Sequence, residues 1–314
     1  MKNFVFSMCA VLCALLFFKK TAPSYPQIHD IYHPTLKDLR LVQDYLEKGK
    51  RPLLKNLKDF QGRAKSKLIG KTENGLPKQG IIAVNCDERQ KENCLLLYAT
   101  FNKNYPEGLK KVIDYITRSD YQGHILYRIG GWPNCEVGDF ALADVPYAFK
   151  VCLFKEAKRL GYKRCLWLDT SIVPLMSLNA FFSKIQNDGY LVMGSNFMVG
   201  PFFNEQSAKF FKLSMEEADQ IPSCSSGIFG LDFSHPKARR ALDLWHQAAG
   251  DPCAFFSARP DQNSLSLILY LLDMRNWLEI ETLAHGKQKV DANSLFLIER
   301  DFVQDLPKSK RLVY

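Results

Sequence analysis

From Cys94 onward, short apolar runs alternate with amphipathic stretches of helical period, and Gly or Pro marks most changes of period. Leu95-Leu96-Leu97-Tyr98-Ala99 predicts a buried strand, 106–119 a helix opened by Pro106, and 124–129 a second strand closed by Gly130-Gly131. A helix follows over 146–160, stopped by Gly161, and then a strand over 165–168. The pattern repeats with a helix over 177–188, ended by Gly189, and a strand over 190–193. Beyond Gly194 the spacing predicts helices near 205–213 and 214–220, the second opened by a Ser214/Glu217 capping box. A Gly-flanked strand over 225–232, a helix over 236–249 with Gly250 behind it, and a strongly apolar helix from Asp261 to Leu272 complete the pattern. Strands alternating with helices imply crossover units, hence an α/β fold with a mostly parallel sheet and helices on both faces. There is no internal repeat.

The N-terminal part has a different texture. Lys2 precedes an uncharged apolar stretch from Phe4 to Phe18, followed by Lys19-Lys20, which reads as a short membrane anchor or as a cleaved signal peptide. Leu36, Leu39, Val42, Tyr45 and Leu46 fall at helical spacing and predict a stem helix, and 62–80, rich in Lys and Gly, reads as a linker. The expected organisation is a signal or anchor segment over 1–20, a basic helical stem and linker over 21–92, and the α/β domain over 93–314. Between Lys19 and Lys71 thirteen Lys or Arg face five Asp or Glu, an excess of +8 that carries nearly all of the chain's +9. Basic residues behind an apolar segment favour the cytoplasmic side and an anionic membrane surface. Nucleic acid is not an expected partner, because no groove-reading or aromatic elements are interleaved with those charges.

Of nine cysteines, Cys9 and Cys13 lie in the leader and seven in the body, without the regular spacing of a disulfide framework or any CxxC pair. Cys152 and Cys165 sit in apolar runs and are expected to be core thiols.

The strand predicted over 165–168 has no polar position and ends in Asp169-Thr170-Ser171. A carboxylate there emerges at the carboxyl edge of the sheet, where ligand crevices open, and it can hold a divalent cation, hold a ribose hydroxyl, or simply cap the turn. Lys150 shares its helical stripe with Leu153, Ala157 and Leu160, so its ammonium requires an anion or must snorkel to water. Gly227 and Gly230 mark either a bulge or a close backbone approach, and Asp261 stands where a helix N-cap would.

The run from Gly161 to Ser171 resembles the strand-Asp-x-Asp element of the GT-A glycosyltransferases, the nucleotide-diphospho-sugar transferase superfamily, and the likeness extends in element order from about Cys94 to His285. The resemblance implies that Asp169 contacts the donor ribose or a metal ion; the last acidic position of the element is Ser171 here, a weak metal ligand. It also implies that Lys150, within Tyr147-Ala148-Phe149-Lys150, meets a donor phosphate, and that Ser226 and Gly227 let the backbone approach the donor sugar. Asp261-Gln262 resembles the family's catalytic Asp-Gln element near the acceptor, and His285 falls where some members place a metal-binding histidine. The implied ligands are a nucleotide sugar, a divalent cation (Mn or Mg) and a glycan, lipid or protein acceptor. The rival expectation is a nucleotide-sugar or glycan binding protein that keeps a degenerate GT-A fold without turnover. A nucleotidyltransferase is disfavoured, since Ala99-Thr100-Phe101-Asn102 lacks a Gly-rich phosphate loop.

Overall fold

The computed structural model describes residues 72–73, 76–77, 79–99, 105–130, 142, 145, 147–255, 257 and 259–299. The apolar leader, the stem helix and most of the linker expected from the sequence lie outside these residues. Among the described residues no helix is long and apolar enough to cross a membrane.

The strands are β1 (Thr72–Glu73), β2 (Leu76–Pro77), β3 (Gln79–Val84), β4 (Asn93–Ala99), β5 (Gly123–Ile129), β6 (Arg164–Leu168), β7 (Ile172–Pro174), β8 (Tyr190–Met198), β9 (Pro222–Asp232), β10 (Leu283–His285) and β11 (Phe296–Ile298). The helices are α1 (Tyr105–Thr117), α2 (Ala148–Arg159), α3 (Leu178–Asp188), α4 (Glu205–Phe211), α5 (Met215–Asp219), α6 (Pro236–Gly250), α7 (Pro252–Phe255) and α8 (Pro260–Leu271). The boundary signals act as expected. Ser177 caps α3 by accepting from the Asn179 amide, Gly189 ends α3 at a left-handed φ of 84°, and the Ser214/Glu217 box is formed in both directions at α5.

The main sheet has the order β3-β5-β4-β6-β9-β8. Only the β4–β5 and β4–β6 pairs are parallel; β3–β5, β6–β9 and β8–β9 are antiparallel, so the sheet is mixed rather than mostly parallel. The departure has a physical source in the β8–β9 connection. Its helices α4 and α5 have only seven and five residues, too short to traverse a sheet face as a crossover does, and β9 returns antiparallel between β6 and β8. A small second sheet has the order β10-β11-β7, and three residues separate β7 from the end of β6. The edge strand β3 belongs to the main sheet although it falls within the stretch assigned to stem and linker.

Two apolar layers enclose the main sheet. On one face α2, α6 and α8 pack over Leu96, Trp167 and Phe229; on the other α1, α3 and the small sheet pack over Leu95, Leu97 and Leu166. Alternation along each strand sends successive side chains to opposite layers. Gly230 makes room for Ile185 of α3, whose side chain occupies the place of the missing Cβ.

A buried ion pair fastens α2 to the sheet. Arg128 of β5 donates from Nε to Glu156 Oε2 (3.1 Å) and from Nη2 to Glu156 Oε1 (2.7 Å), with both side chains fully buried, and Nη1 donates to Gln79 Oε1 at 2.8 Å. Removing one partner of such a pair strands the other charge. Glu156→Gln is therefore expected to cost about 3 kcal/mol, seen as a lower urea midpoint with little change of slope.

Towards the other end of β5 the buried His124 ring lies between Tyr162 and the Asp87 carbonyl, with Nδ1 at 2.6 Å from the phenol oxygen and Nε2 at 3.2 Å from the carbonyl. A carbonyl only accepts, so Nε2 carries the proton and Nδ1 accepts from the phenol. Burial holds the imidazole below its ordinary value, outweighing the attraction of the Asp87 carbonyl. The unfolded chain consequently takes up this proton more readily than the folded one, and stability falls as pH drops from about 6.5 through the depressed folded value. Urea unfolding at pH 7 and pH 5 is expected to show this loss, and His124→Gln to reduce it.

Candidate functional site

Three elements converge on one ammonium. Lys150, in the first turn of α2, lies 3.2 Å from Asp169 Oδ1, at the end of β6, and 2.8 Å from Asp261 Oδ2, in the first turn of α8. Its Nζ also donates to the Ser226 carbonyl at 3.1 Å and to Ser226 Oγ at 3.4 Å. Lys150 is only 3% exposed and Asp261 4%, whereas the Asp169 side chain is 44% exposed and faces open space. Burial pulls the Lys150 amine down, but the Asp169 and Asp261 carboxylates more than offset this and hold it above its ordinary value. Of the two alternatives left open by its place on the apolar stripe, the anion is realised, and the protein itself supplies it twice. One ammonium against two carboxylates leaves the cluster with a formal charge of −1.

Each of these positions has a local cause. Asp169 follows the last residue of a fully apolar strand; its amide donates to the Gly227 carbonyl at 2.9 Å, and its carbonyl accepts from the Ile172 amide at 2.8 Å to close the turn into β7. The Trp167 indole donates to Asp169 Oδ1 at 2.8 Å, so a core aromatic orients the carboxylate. Phe149 stacks on Tyr98 at 4.3 Å and leans on Trp167 at 6.0 Å, tying the first turn of α2 to β4 and β6. Tyr147, at the start of α2, adopts φ 62° and ψ 3°, a left-handed conformation that costs an aromatic residue about 1 kcal/mol or more. Asp261 is not the N-cap expected of it. Arg259 holds that position, Pro260 opens α8, and the Asp261 carboxylate points to Lys150.

The bulge alternative for Gly227 is also realised. Pairing of β9 with β8 jumps from Phe229↔Val192 to Ser225↔Met193, which leaves Ser226, Gly227 and Ile228 out of that ladder. The Ser226 carbonyl is thereby free to face Lys150. A Cβ on Gly227 would lie 3.0 Å from Asp169 Oδ2, so the glycine also makes room for the carboxylate.

A cavity of about 540 Å³ opens over this cluster, between the edge of the main sheet, the start of α8 and the small sheet. Lys150, Asp169, Ser226, Asp261, Gln262 and His285 all line it. Gln262 is tethered, its Nε2 donating to Ser223 Oγ at 2.9 Å. Gly227 lies behind Asp169 and does not line the cavity, and neither does Ser171, whose carbonyl accepts from the Glu299 amide in the small sheet. Tyr147, quoted in the sequence only as a neighbour of Lys150, lines it too, as do Ser195, Asn196, Phe197 and Arg259, which were not singled out there. The strand predicted over 190–193 runs on to Met198, and its polar continuation, Gly194-Ser195-Asn196, is what carries Phe197 to the cavity.

The described residues form no preassembled divalent-cation centre. Among the described residues no group of three His, Cys, Asp or Glu side chains could hold a metal ion. Asp169 Oδ1 is already engaged by an ammonium and an indole, the Asp261 carboxylate faces the same ammonium, and Ser171 is turned out of the cavity. Asp169 and His285 share the cavity wall without forming a ligand set.

No protein-family model matches the chain, and no curated protein matches it. Among solved structures, the chain is similar to the apo form of mouse xyloside xylosyltransferase 1, with 11% identity over 81% of this chain and 94% of that one and a TM-score of 0.37. A likeness at that level decides neither fold nor activity.

Because Asp261 is buried and Lys150 is its charge partner, Lys150→Met is expected to lower stability by about 3 kcal/mol. Asp169→Asn, at a half-exposed position, is expected to cost less, and urea unfolding of the two variants compares them directly.

Proposed function

We propose that the protein is a glycosyltransferase of the GT-A type, transferring a sugar from a nucleotide-diphosphate donor to an acceptor in the cavity above Lys150. The observation that carries this reading is the Lys150 ammonium gripped by Asp169 and Asp261 at the carboxyl end of β6, on the wall of an open cavity. An α/β sheet takes its ligand outside the carboxyl ends of its parallel strands, near the point where the strand order reverses. Here β5 lies to one side of β4 and β6 to the other, so that point is next to Asp169.

In this reading the exposed side of Asp169 accepts a hydroxyl of the donor ribose, and the bulged backbone at Ser226 borders the sugar. The bond between the anomeric carbon and the diphosphate oxygen breaks while a bond to an acceptor hydroxyl oxygen forms, and the hydroxyl proton passes to the released diphosphate. The charge left on the diphosphate faces the Lys150 ammonium as a fixed positive charge, whose N–H groups stay with Asp169, Asp261 and the Ser226 carbonyl and hold it in place before the reaction begins. Asp261 and the tethered Gln262 position the acceptor or the transferred sugar. Resemblance in sequence supports the class; the convergence of separately quoted residues on one cavity supports the site.

One observation favours the rival reading, a nucleotide-sugar or glycan binding protein without turnover: the cluster that would meet the diphosphate has a formal charge of −1. A thermal-shift screen of nucleotide sugars followed by a donor-hydrolysis assay separates the two. The expected result is a donor that raises the melting temperature and is turned over, with Asp261→Asn losing at least about a hundredfold in rate. Binding without turnover supports the rival, and undiminished turnover in both Asp169→Asn and Asp261→Asn overturns the site.

A further inference from the structure

Lys150 is satisfied within the protein, whereas Arg259, on the wall of the same cavity, is held by aromatic rings. Its guanidinium carbon lies 3.8 Å from the centre of the Phe197 ring and 4.4 Å from that of Phe202, so two aromatic faces hold it. It lines the cavity, and among the described residues it has no carboxylate partner. The nearest acidic residue in sequence, Asp261, is committed to Lys150. Burial pulls the guanidinium below its ordinary value, which shows partial desolvation, and arginine stays charged nonetheless. A fork of donors fixed between two rings, partly stripped of water and facing a cavity, is suited to a planar oxyanion.

The position of Arg259 decides which oxyanion. The strand reversal that marks the donor crevice lies at β4 and β6, whereas Phe197 is carried by the far end of β8, two strands beyond β6 at roughly 5 Å per strand. The intervening strand is β9, which bears Ser225 and Ser226. Phe197 remains 46% exposed and offers an apolar ring edge beside the charge, as a sugar carrying an acid group requires. We infer that Arg259, held between Phe197 and Phe202, recognises a carboxylate or phosphate on the acceptor, so that the acceptor is an acidic glycan. This inference rests on the transferase reading above and adds the class of acceptor to it.

The test uses the full chain and ligand-detected binding in two independent arms. The first arm measures uridine and guanosine diphosphate; the second compares glucuronate and glucose 6-phosphate with glucose, in the presence of whichever nucleotide binds. The wild type is expected to bind at least one charged sugar about tenfold or more tightly than glucose, as charge-assisted hydrogen bonds imply. Arg259→Gln is expected to abolish that preference while leaving nucleotide affinity within about twofold, and Arg259→Lys, which keeps charge without the planar fork, to retain part of it. A wild type that binds nucleotide but shows no preference for either charged sugar overturns the inference. So does an Arg259→Gln variant that loses nucleotide affinity, since that assigns the arginine to the donor. If the wild type binds neither nucleotide nor any nucleotide sugar, the transferase reading itself fails, and with it the assignment of the anion to an acceptor.

Discussion

An ammonium group sealed among carboxylates from two other elements is the constraint on which the arrangement of this molecule depends. Lys150 cannot occupy an apolar stripe as an ion unless Asp169 and Asp261 are brought to it, and Asp261 cannot be buried at the start of α8 unless Lys150 reaches it. The contact therefore sets three relations at once: the seat of α2 on the sheet, the place where β6 ends, and the approach of α8 to the strand edge. Burial of the pair is costly in itself, and the cost is offset by the Ser226 carbonyl, which gives the ammonium a further acceptor.

The sheet serves that contact through its irregularities more than through its regular ladders. The bulge in β9 releases one carbonyl towards Lys150, and its glycine leaves the volume that Asp169 Oδ2 occupies. The indole of Trp167 gives Asp169 a second donor from inside the core, so an apolar side chain in a buried strand takes part in orienting a polar group at the edge. The small sheet closes the other side: Phe296 of β11 stacks on Phe181 of α3 at 4.3 Å, which anchors the wall carrying Leu283, His285 and Ile298.

How much of this could be read in advance depended on whether the signal was local. Helix and strand order from Cys94 to Leu272 follows from period and from punctuation by Gly and Pro, signals that need no tertiary context, and every element so predicted is present, with β7 and α7 added. Lys150 was conspicuous because a cation on an apolar stripe contradicts its neighbours, and Asp169 because it ends an apolar strand. The direction of β9 was hidden, since apolar runs do not encode whether a strand runs parallel or antiparallel to its neighbour. The three-residue strands β7, β10 and β11 are too short to produce a period. Asp261 resembled a cap because residue type and position suited one; only the approach of α2 shows its carboxylate engaged elsewhere. Arg259 carried no sequence signal, because its distinction is the absence of an acidic neighbour in space.

The edge strand β3 has a consequence for how the body is carried. It runs antiparallel to β5, with Gln79 opposite Arg128 and Val84 opposite Gly123. Its first residue thus lies at the end of the sheet where β5 and β4 finish, which is the end that bears the cavity, about 14 Å across the sheet from β6 at the usual strand spacing. The preceding polypeptide joins the folded body on that rim. Anything gripped by those earlier residues is linked to the molecule from its mouth and not from its back.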